Sequence, residues 1–261
     1  MPVESILNWA SRGVSGDHYG RATLDGARRR TLGEVSGETN ERIPTRLVLV
    51  RHGESKATVR RVIGGHRSCD GLSDLGRRQA ERLATRLDGT AEIPADRLVS
   101  SHYRRAIETA DALAATLQLP VEVDAGFGEH DPGPELDGMR FADYVDRFGT
   151  PDWNGDPHVD IFPGGETTAE FHVRVGAAVS QLVRASTGQT VLVSCHGGVV
   201  DAVFRQLLRT PPTGGFELHT RNTSITEFVT TPGERWRLTR YNDAAHLAGL
   251  PDETARTTSA S

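Results

Sequence analysis

Residues 47–55 read Leu47-Val48-Leu49-Val50-Arg51-His52-Gly53-Glu54-Ser55, and this stretch decides the fold. Four apolar residues are followed directly by a cation, an imidazole and a glycine. An apolar run bounded by a turn signal is typical of a buried parallel strand. Because open α/β sheets bind ligands at the carboxyl ends of their strands, we expect Arg51 and His52 to lie at the mouth of a site. A guanidinium beside an imidazole that titrates near neutral pH suits an oxyanion.

Outward from this stretch, predicted strands and helices alternate along the chain. After a first strand at 46–51, we predict parallel strands at 97–100, 121–123 and 190–194. Helices are predicted from a cap at Ser73, over about 104–117 and 168–185, and through Val199, Val203 and Leu207. Further strands are predicted near 216–220, 224–230 and 236–241. The alternation predicts a three-layer α/β/α fold with a mostly parallel central sheet.

Residues 124–165 interrupt this rhythm. They contain many glycines and the prolines Pro132, Pro134, Pro151, Pro157 and Pro163. A long irregular segment inside a compact domain is commonly a lid or a binding loop. We therefore expect a lid-like insertion in a catalytic domain that spans residues 46–242. The Gly-, Arg- and Thr-rich residues 1–45 and the polar residues 243–261 are interpreted as a flexible extension and a flexible tail.

Composition excludes several classes of function. The 261 residues carry a formal net charge of -5 at pH 7, which argues against a general nucleic-acid partner. No stretch approaches the roughly 18 apolar residues of a membrane span, and the N-terminus has no signal-peptide pattern. Cys69 and Cys195 do not make a disulfide framework. We expect a cytoplasmic protein with reduced thiols and no membrane partner, of open oligomeric state.

Three further segments join the first in resembling one family. They are Ser100–Ala110, which includes Arg104-Arg105, Ser194-Cys195-His196-Gly197-Gly198, and Pro163–Thr167 followed by Arg174. Together with Arg51–Ser55 they resemble the motifs of the histidine phosphatase superfamily, also called the phosphoglycerate mutase-like family. They span about residues 46–242 in the expected order, which is far more specific than a single motif.

The residue types agree with phosphate chemistry independently of this resemblance. Strand ends should deliver Arg51, His52, Arg105 and His196 to one rim of the sheet, where two guanidiniums and an imidazolium can neutralise a phosphoryl dianion. Backbone N–H groups at the helix that Gly197 opens favour an anion. A nucleophilic histidine needs one unprotonated nitrogen and an acceptor for the other. Arginines crowding His52 would repel a cation, so we expect neither a metal nor a cofactor.

The resemblance implies a role for each matching residue. His52 would attack phosphorus, Arg51, Arg105 and His196 would hold the phosphoryl group, and Glu129 would be the general acid. The run Asp131–Gly138 departs from the family pattern, so Glu135 and Asp137 remain alternatives to Glu129. Thr58 stands where many relatives have an asparagine that touches the phosphate, and Arg61 falls near an arginine often found close to substrate.

The implied activity is hydrolysis of a small phosphate ester through a phosphohistidine. A phosphoglycerate mutase-type transferase would use the same residues, but an acidic lid is a poor setting for a bisphosphate; its acids are Asp131, Glu135, Asp137, Asp143 and Asp146, against Arg140 and Arg147. A catalytically inactive phospho-ligand binding module is disfavoured because all four core residues are present. A cysteine phosphatase would need an arginine where Asp201 stands, so Cys195 is interpreted as a packed residue.

Overall fold

The computed structural model describes residues 43–231 and 235–251. The expected N-terminal extension, apart from residues 43–45, and the last ten residues lie outside the described residues. In the described part of the chain no helix is long and apolar enough to cross a membrane.

The described strands form one mixed sheet. They are β1 (Arg46–Arg51), β2 (Arg97–Ser100), β3 (Val121–Val123), β4 (Thr190–Cys195), β5 (Ile225–Thr231) and β6 (Arg235–Asp243), in the order β3-β2-β4-β1-β5-β6. The first four in that order are mutually parallel, and β5 and β6 are antiparallel to their neighbours. The sheet confirms the predicted α/β class. Because β1 and β4 are central neighbours, their carboxyl ends lie side by side.

The described α-helices are α1 (Lys56–Arg60), α2 (Asp74–Thr90), α3 (Arg104–Leu117), α4 (Phe141–Phe148), α5 (Thr168–Ala185) and α6 (Gly197–Leu208). Helices α5 and α6 cover one face of the sheet, and α2 and α3 cover the other. Successive side chains of β1 alternate between two cores, as the period of a strand requires: Leu47 and Leu49 pack with α5 and α6. Val48 and Val50 pack with α2 and α3. This is the three-layer arrangement that the sequence predicts.

Two helix starts explain why the chain enters the helices where it does. The Ser73 hydroxyl accepts a hydrogen bond from the Gly76 amide and so caps α2, as predicted. The same hydroxyl donates to a Glu54 carboxylate oxygen at 2.6 Å, which ties the start of α2 to the loop after β1. Thr167 and Glu170 form a reciprocal capping pair at the start of α5.

The lid-like insertion is partly helical, which the sequence analysis did not predict. Its helix α4 carries an apolar stripe at Phe141, Tyr144, Val145 and Phe148, and Tyr144 packs with Ile63, Leu136 and Phe162 in a small third core. Eight residues between proline- and glycine-rich segments give too short a window for a confident periodicity. The insertion is therefore a packed substructure with its own apolar core.

The strand predicted at 216–220 is wrong. Backbone carbonyls there bind side chains instead of a neighbouring strand: Tyr241 Oη donates to His219 O at 2.6 Å, Arg51 donates to Thr220 O, and Arg205 donates to Phe216 O. The segment consequently runs as an irregular connection from α6 towards β5, close to the end of β1.

Residues 243–247, the first part of the predicted flexible tail, are anchored to the domain. Strand β6 continues to Asp243, whose carboxylate accepts two hydrogen bonds from the Arg86 guanidinium at 2.6 and 2.9 Å. A 3₁₀ turn follows at Ala245–Leu247, where Leu247 is buried and His246 Nε2 shares a hydrogen bond with the Thr223 hydroxyl at 2.9 Å. The polar composition of the tail concealed these two anchors.

Candidate active site

Adjacent parallel strands bring the two motif histidines together. Arg51 and Cys195, the last residues of β1 and β4, are paired in register. The His52 amide donates to the Cys195 carbonyl at 2.9 Å, which continues the pairing for one residue. The ring centroids of His52 and His196 consequently lie 5.0 Å apart.

The His52 ring is fixed at both nitrogens. Nδ1–H donates to the Gly53 carbonyl at 2.7 Å, and Nε2 accepts from Arg105 Nε at 3.1 Å. The carbonyl fixes the tautomer, because it can only accept, so the lone pair is left on Nε2. The backbone of the loop is held too, since the Asn222 side-chain amide donates to the His52 carbonyl at 2.9 Å.

Burial keeps this imidazole neutral. His52 is 6% exposed. Its pKa lies well below 6.5, chiefly because burial disfavours the charged ring and secondly because Arg105 and Arg51 repel a further positive charge; the hydrogen bond to Gly53 opposes the shift. A neutral histidine whose Nε2 carries a lone pair, beside two guanidiniums, is suited to nucleophilic attack on an anion.

Arg105 is held rigidly beside His52. Its Nη1 donates to the Gly64 carbonyl at 2.9 Å, its guanidinium stacks 4.5 Å from the centre of the Tyr103 ring, and its backbone amide contacts Cys69 Sγ at 3.4 Å. It is 5% exposed although it sits in the first turn of α3. These contacts fix the planar guanidinium of Arg105 beside the His52 ring.

Arg51 provides the second guanidinium. It donates to the Thr220 carbonyl, and a Cβ at Gly197 would lie 3.8 Å from Arg51 Nε. Gly197, which has no side chain, therefore lies next to Arg51 at the start of α6. A guanidinium and a helix N-terminus both favour an anion.

His196 has one nitrogen bound and one free. Nε2 shares a hydrogen bond with the Ser101 hydroxyl at 2.8 Å, whereas Nδ1 is buried with no hydrogen-bond partner among the described residues. Its pKa is lowered well below 6.5 by burial, then by Arg105 and His52. A buried imidazole nitrogen without a partner is costly, so this atom is available to a ligand oxygen.

Glu129 lies at the N-terminus of α6. Its Oε2 accepts from the Gly198 amide at 3.2 Å and its Oε1 from the His130 amide at 3.1 Å. The Glu129 carbonyl accepts from Tyr103 Oη at 3.2 Å and from Arg174 Nη2 at 3.3 Å. The carboxylate is therefore placed by both backbone and side-chain contacts at the helix end that His196 caps.

Arg174 organises the loop that carries Glu129. It forms an ion pair with Glu166 at 2.7 Å and donates to the carbonyls of Gly126 and Gly128 at 3.0 and 3.1 Å. These hydrogen bonds give the Glu166–Arg174 pair a positioning role.

The two alternative acids lie elsewhere. Asp137 accepts from the Arg67 amide at 2.8 Å, from the Ser68 amide at 3.3 Å and from the Ser68 hydroxyl, so its carboxylate holds the loop before α2. Glu135 is exposed on the lid. Of the three acids considered, only Glu129 bonds to the opening turn of α6.

The structure does not bring Thr58 or Arg61 into the hydrogen bonds of this centre. The exposed Thr58 has its hydroxyl 3.0 Å from the Ser55 hydroxyl. Arg61 ends α1 in a left-handed conformation with φ 54°, and its carbonyl accepts from the Phe141 amide at 2.9 Å. Their predicted contacts with substrate stay predictions.

Two supporting residues were missed by sequence reasoning, namely Ser101, which binds His196, and Asn222, which binds the loop at His52. Ser101 follows β2 inside a segment that we singled out for Arg105, and that position was the available signal.

Cys195 is fully buried, and burial raises the pKa of its thiol, which disfavours a thiolate nucleophile. Among the described residues no group of three His, Cys, Asp or Glu side chains could hold a metal ion.

A cleft of about 760 Å³ adjoins the centre. Its wall reaches the centre at Gly64, which binds Arg105, and at Glu129 and Gly197. Its other lining residues come from the lid, α5, α6 and the segment between α6 and β5. The space next to Glu129 and the start of α6 is thus large enough for a small organic molecule.

Comparison with known proteins agrees with this geometry. The model of the histidine phosphatase superfamily, branch 1, matches residues 47–244. Phosphoglycerate mutase-like protein 4 of Arabidopsis thaliana is 30% identical over 205 residues, covering 77% of this chain and 86% of that protein. The metal-independent phosphoserine phosphatase of the same plant is 26% identical over 211 residues, covering 79% and 84%.

A solved structure shares the fold. The mycobacterial glucosyl-3-phosphoglycerate phosphatase superposes with a TM-score of 0.63 at 28% identity, covering 76% of this chain and 98% of that one. The matched region contains every strand of the sheet except the first residue of β1, together with the histidines and arginines at the strand ends. The chain belongs to the histidine phosphatase superfamily.

Proposed function

We propose that this protein hydrolyses a small phosphomonoester through a covalent phosphohistidine on His52. The observation that carries the proposal is the state of the His52 ring. Its Nδ1–H is held by the Gly53 carbonyl, and its Nε2 accepts a hydrogen bond from Arg105 Nε at 3.1 Å. A phosphoryl oxygen would compete with Nε2 for this N–H and so leave the lone pair free to attack. This arrangement presents a neutral nucleophile in a site built for a dianion.

In the first step, His52 Nε2 attacks phosphorus in line, forming a P–N bond as the P–O bond to the alcohol breaks. Arg51 and Arg105 hold the equatorial oxygens and neutralise their charge. The free Nδ1 of His196 donates to a third oxygen. A bound dianion favours protonation of His196, opposing the effect of burial. The amides at Gly197 add a dipole of the same sign.

Glu129 completes the cycle. Its carboxyl proton passes to the leaving alkoxide in the first step, and the resulting carboxylate then removes a proton from the attacking water. Water breaks the P–N bond, so inorganic phosphate leaves and the neutral His52 is restored. The support for this role is the position of Glu129 at the opening turn of α6, where its carboxylate accepts a hydrogen bond from the Gly198 amide.

The mutase alternative uses the same residues but returns the phosphoryl group to an acceptor instead of to water. The acidic side chains of the lid argue against a second phosphate on the substrate. We expect phosphate release from a panel of sugar phosphates, phosphoglycerates, nucleotides and phosphopeptides. Conversion of 3-phosphoglycerate into its 2-phospho isomer, with 2,3-bisphosphoglycerate present, should be negligible beside it. Isomer formation faster than hydrolysis of every ester would favour the mutase over the hydrolase. If neither reaction occurs, the inactive binding module is the interpretation that fits.

Activity should not require a divalent cation. Two guanidiniums already neutralise the bound phosphoryl group. Dialysis against EDTA should leave the initial rate of phosphate release unchanged, measured against a mock-dialysed sample. A loss that a divalent ion restores would contradict the proposed chemistry.

A further inference from the structure

The cleft beside the proposed centre contains a buried histidine that the mechanism does not use. His130 lines the cleft and is 9% exposed. Both of its ring nitrogens are buried with no hydrogen-bond partner in the described part of the chain. An imidazole in this state forgoes one donor and one acceptor hydrogen bond, which is costly for a buried polar group.

The surroundings of His130 are aromatic. Its ring centroid lies 5.7 Å from those of Trp153 and Phe171 and 5.9 Å from that of Phe162. Burial lowers the pKa of His130, although the nearby carboxylates of Glu166 and Glu129 oppose this. The ring is therefore a neutral donor and acceptor set in an apolar wall, next in sequence to the proposed general acid.

Exposed aromatic side chains face the same cleft. Phe141, Trp153 and Phe216 line it and are 45%, 51% and 62% exposed. Large apolar side chains left open along a concave surface are typical of a ligand site. They offer flat faces to a ring, whereas a three-carbon acid would leave most of the 760 Å³ unfilled.

The charges of the cleft disfavour an anionic leaving group. Among the described lining residues, Arg205 carries the one permanent positive charge. Its Nε is bound to Asp201 at 2.6 Å, and its terminal nitrogens donate to the carbonyls of Pro211 and Phe216. Glu129 and Glu217 line the cleft as further acids. A carboxylate would meet like charge here without a free cation to balance it.

We propose that the substrate is a phosphomonoester whose alcohol carries an uncharged ring, with a polar ring atom or substituent bound by His130. This inference rests on the proposed hydrolase function and narrows it. It separates this chain from enzymes that hydrolyse esters whose leaving group bears a carboxylate, such as phosphoserine or a phosphoglycerate. His130 is a specificity-determining residue, since it contacts the leaving group and takes no part in proton transfer.

Three synthetic esters test the inference because all release a benzylic-type alcohol: benzyl phosphate, 3-pyridylmethyl phosphate and 4-carboxybenzyl phosphate. We expect kcat/KM for benzyl phosphate to exceed that for the carboxylate by about tenfold or more. The pyridyl ester should exceed benzyl phosphate by about threefold to tenfold, the range of one neutral hydrogen bond.

The variant His130→Phe retains the aromatic packing and removes both polar ring atoms. It should bring the pyridyl-to-benzyl ratio of kcat/KM close to one while benzyl phosphate is still hydrolysed. His158→Phe, the same substitution at an exposed position of the lid segment outside the cleft, should keep the wild-type ratio.

The outcomes distinguish this inference from the function on which it rests. Equal or faster hydrolysis of the carboxybenzyl ester, or a pyridyl preference that survives His130→Phe, overturns the inference and leaves the hydrolase intact. If the enzyme hydrolyses phosphoserine or 3-phosphoglycerate but none of the three benzylic esters, the inference is likewise overturned and the hydrolase function stands. If His130→Phe does not fold, the wild-type ratio of benzyl to carboxybenzyl ester still decides the charge argument. Absence of hydrolysis of every ester overturns both proposals.

Discussion

Replacing His52 with alanine should lower the rate of phosphomonoester hydrolysis by at least ~10⁴-fold. Alanine removes the atom to which phosphorus would bond, and no other described nucleophile replaces it. Cys195 is fully buried with a raised thiol pKa, and the free nitrogen of His196 is Nδ1 on a ring already bound through Nε2. Initial rates of phosphate release from p-nitrophenyl phosphate, compared with wild type, measure the loss.

The covalent intermediate gives a second readout of the same substitution. Rapid quenching of the wild-type enzyme with ³²P-labelled ester should trap a phosphoenzyme that acid cleaves and base does not, as expected for a phosphoramidate. His52→Ala should trap none, whereas His158→Ala, at an exposed histidine, should behave as wild type. Circular dichroism of the His52→Ala protein checks that it is folded. Label recovered on Cys195, or full turnover with no trapped label, would refute the assignment.

The strand ends could be predicted from the sequence because one local rule places them. Each apolar run of β1, β2 and β4 stops within a few residues of a charged or polar motif residue. Parallel strands align these ends at one edge of the sheet. The sequence therefore indicates that His52 and His196 lie close together, and the register of Arg51 with Cys195 gives the separation of 5.0 Å between their rings.

The lid could not be predicted in the same way. Helix α4 has the right stripe but spans eight residues, and the core of Ile63, Leu136, Tyr144 and Phe162 joins segments that are far apart in sequence. Nothing local in the sequence shows that the ring of His130 is buried. Burial of a single polar side chain is a tertiary property, and local propensity carries no record of it.

The segment 216–220 shows the opposite failure. Alternating apolar and polar residues predict a strand there, but the carbonyls of Phe216, His219 and Thr220 are taken by the side chains of Arg205, Tyr241 and Arg51. Arg51 belongs to β1 and Arg205 to α6, which are the elements next to the site. The side-chain hydrogen bonds therefore decide the backbone conformation here, and the local alternation does not.

Glu129→Gln should separate substrates by how much their leaving group needs a proton. An alkoxide from an alkyl phosphate leaves poorly without one, whereas nitrophenolate leaves readily. General acid catalysis typically contributes about 10²–10⁴-fold, so alkyl esters should lose a factor in that range. The first step for p-nitrophenyl phosphate should be nearly unaffected. Glutamine has the same shape and an amide oxygen that can still accept from the Gly198 amide, which lies 3.2 Å from the present carboxylate.

The second half-reaction sharpens this test, because the same carboxylate is the proposed base for water. With p-nitrophenyl phosphate, Glu129→Gln should release nitrophenolate in a burst of about one equivalent per site and then turn over slowly as the phosphohistidine accumulates. Glu135→Gln, at an exposed acid of the lid, should show wild-type rates and no burst. Asp137→Asn is a poorer control, since the Asp137 carboxylate holds Arg67 and Ser68. If Glu129→Gln slows alkyl and aryl esters equally and gives no burst, the proton must come from another group, and the position of Glu129 at the start of α6 reflects helix capping alone.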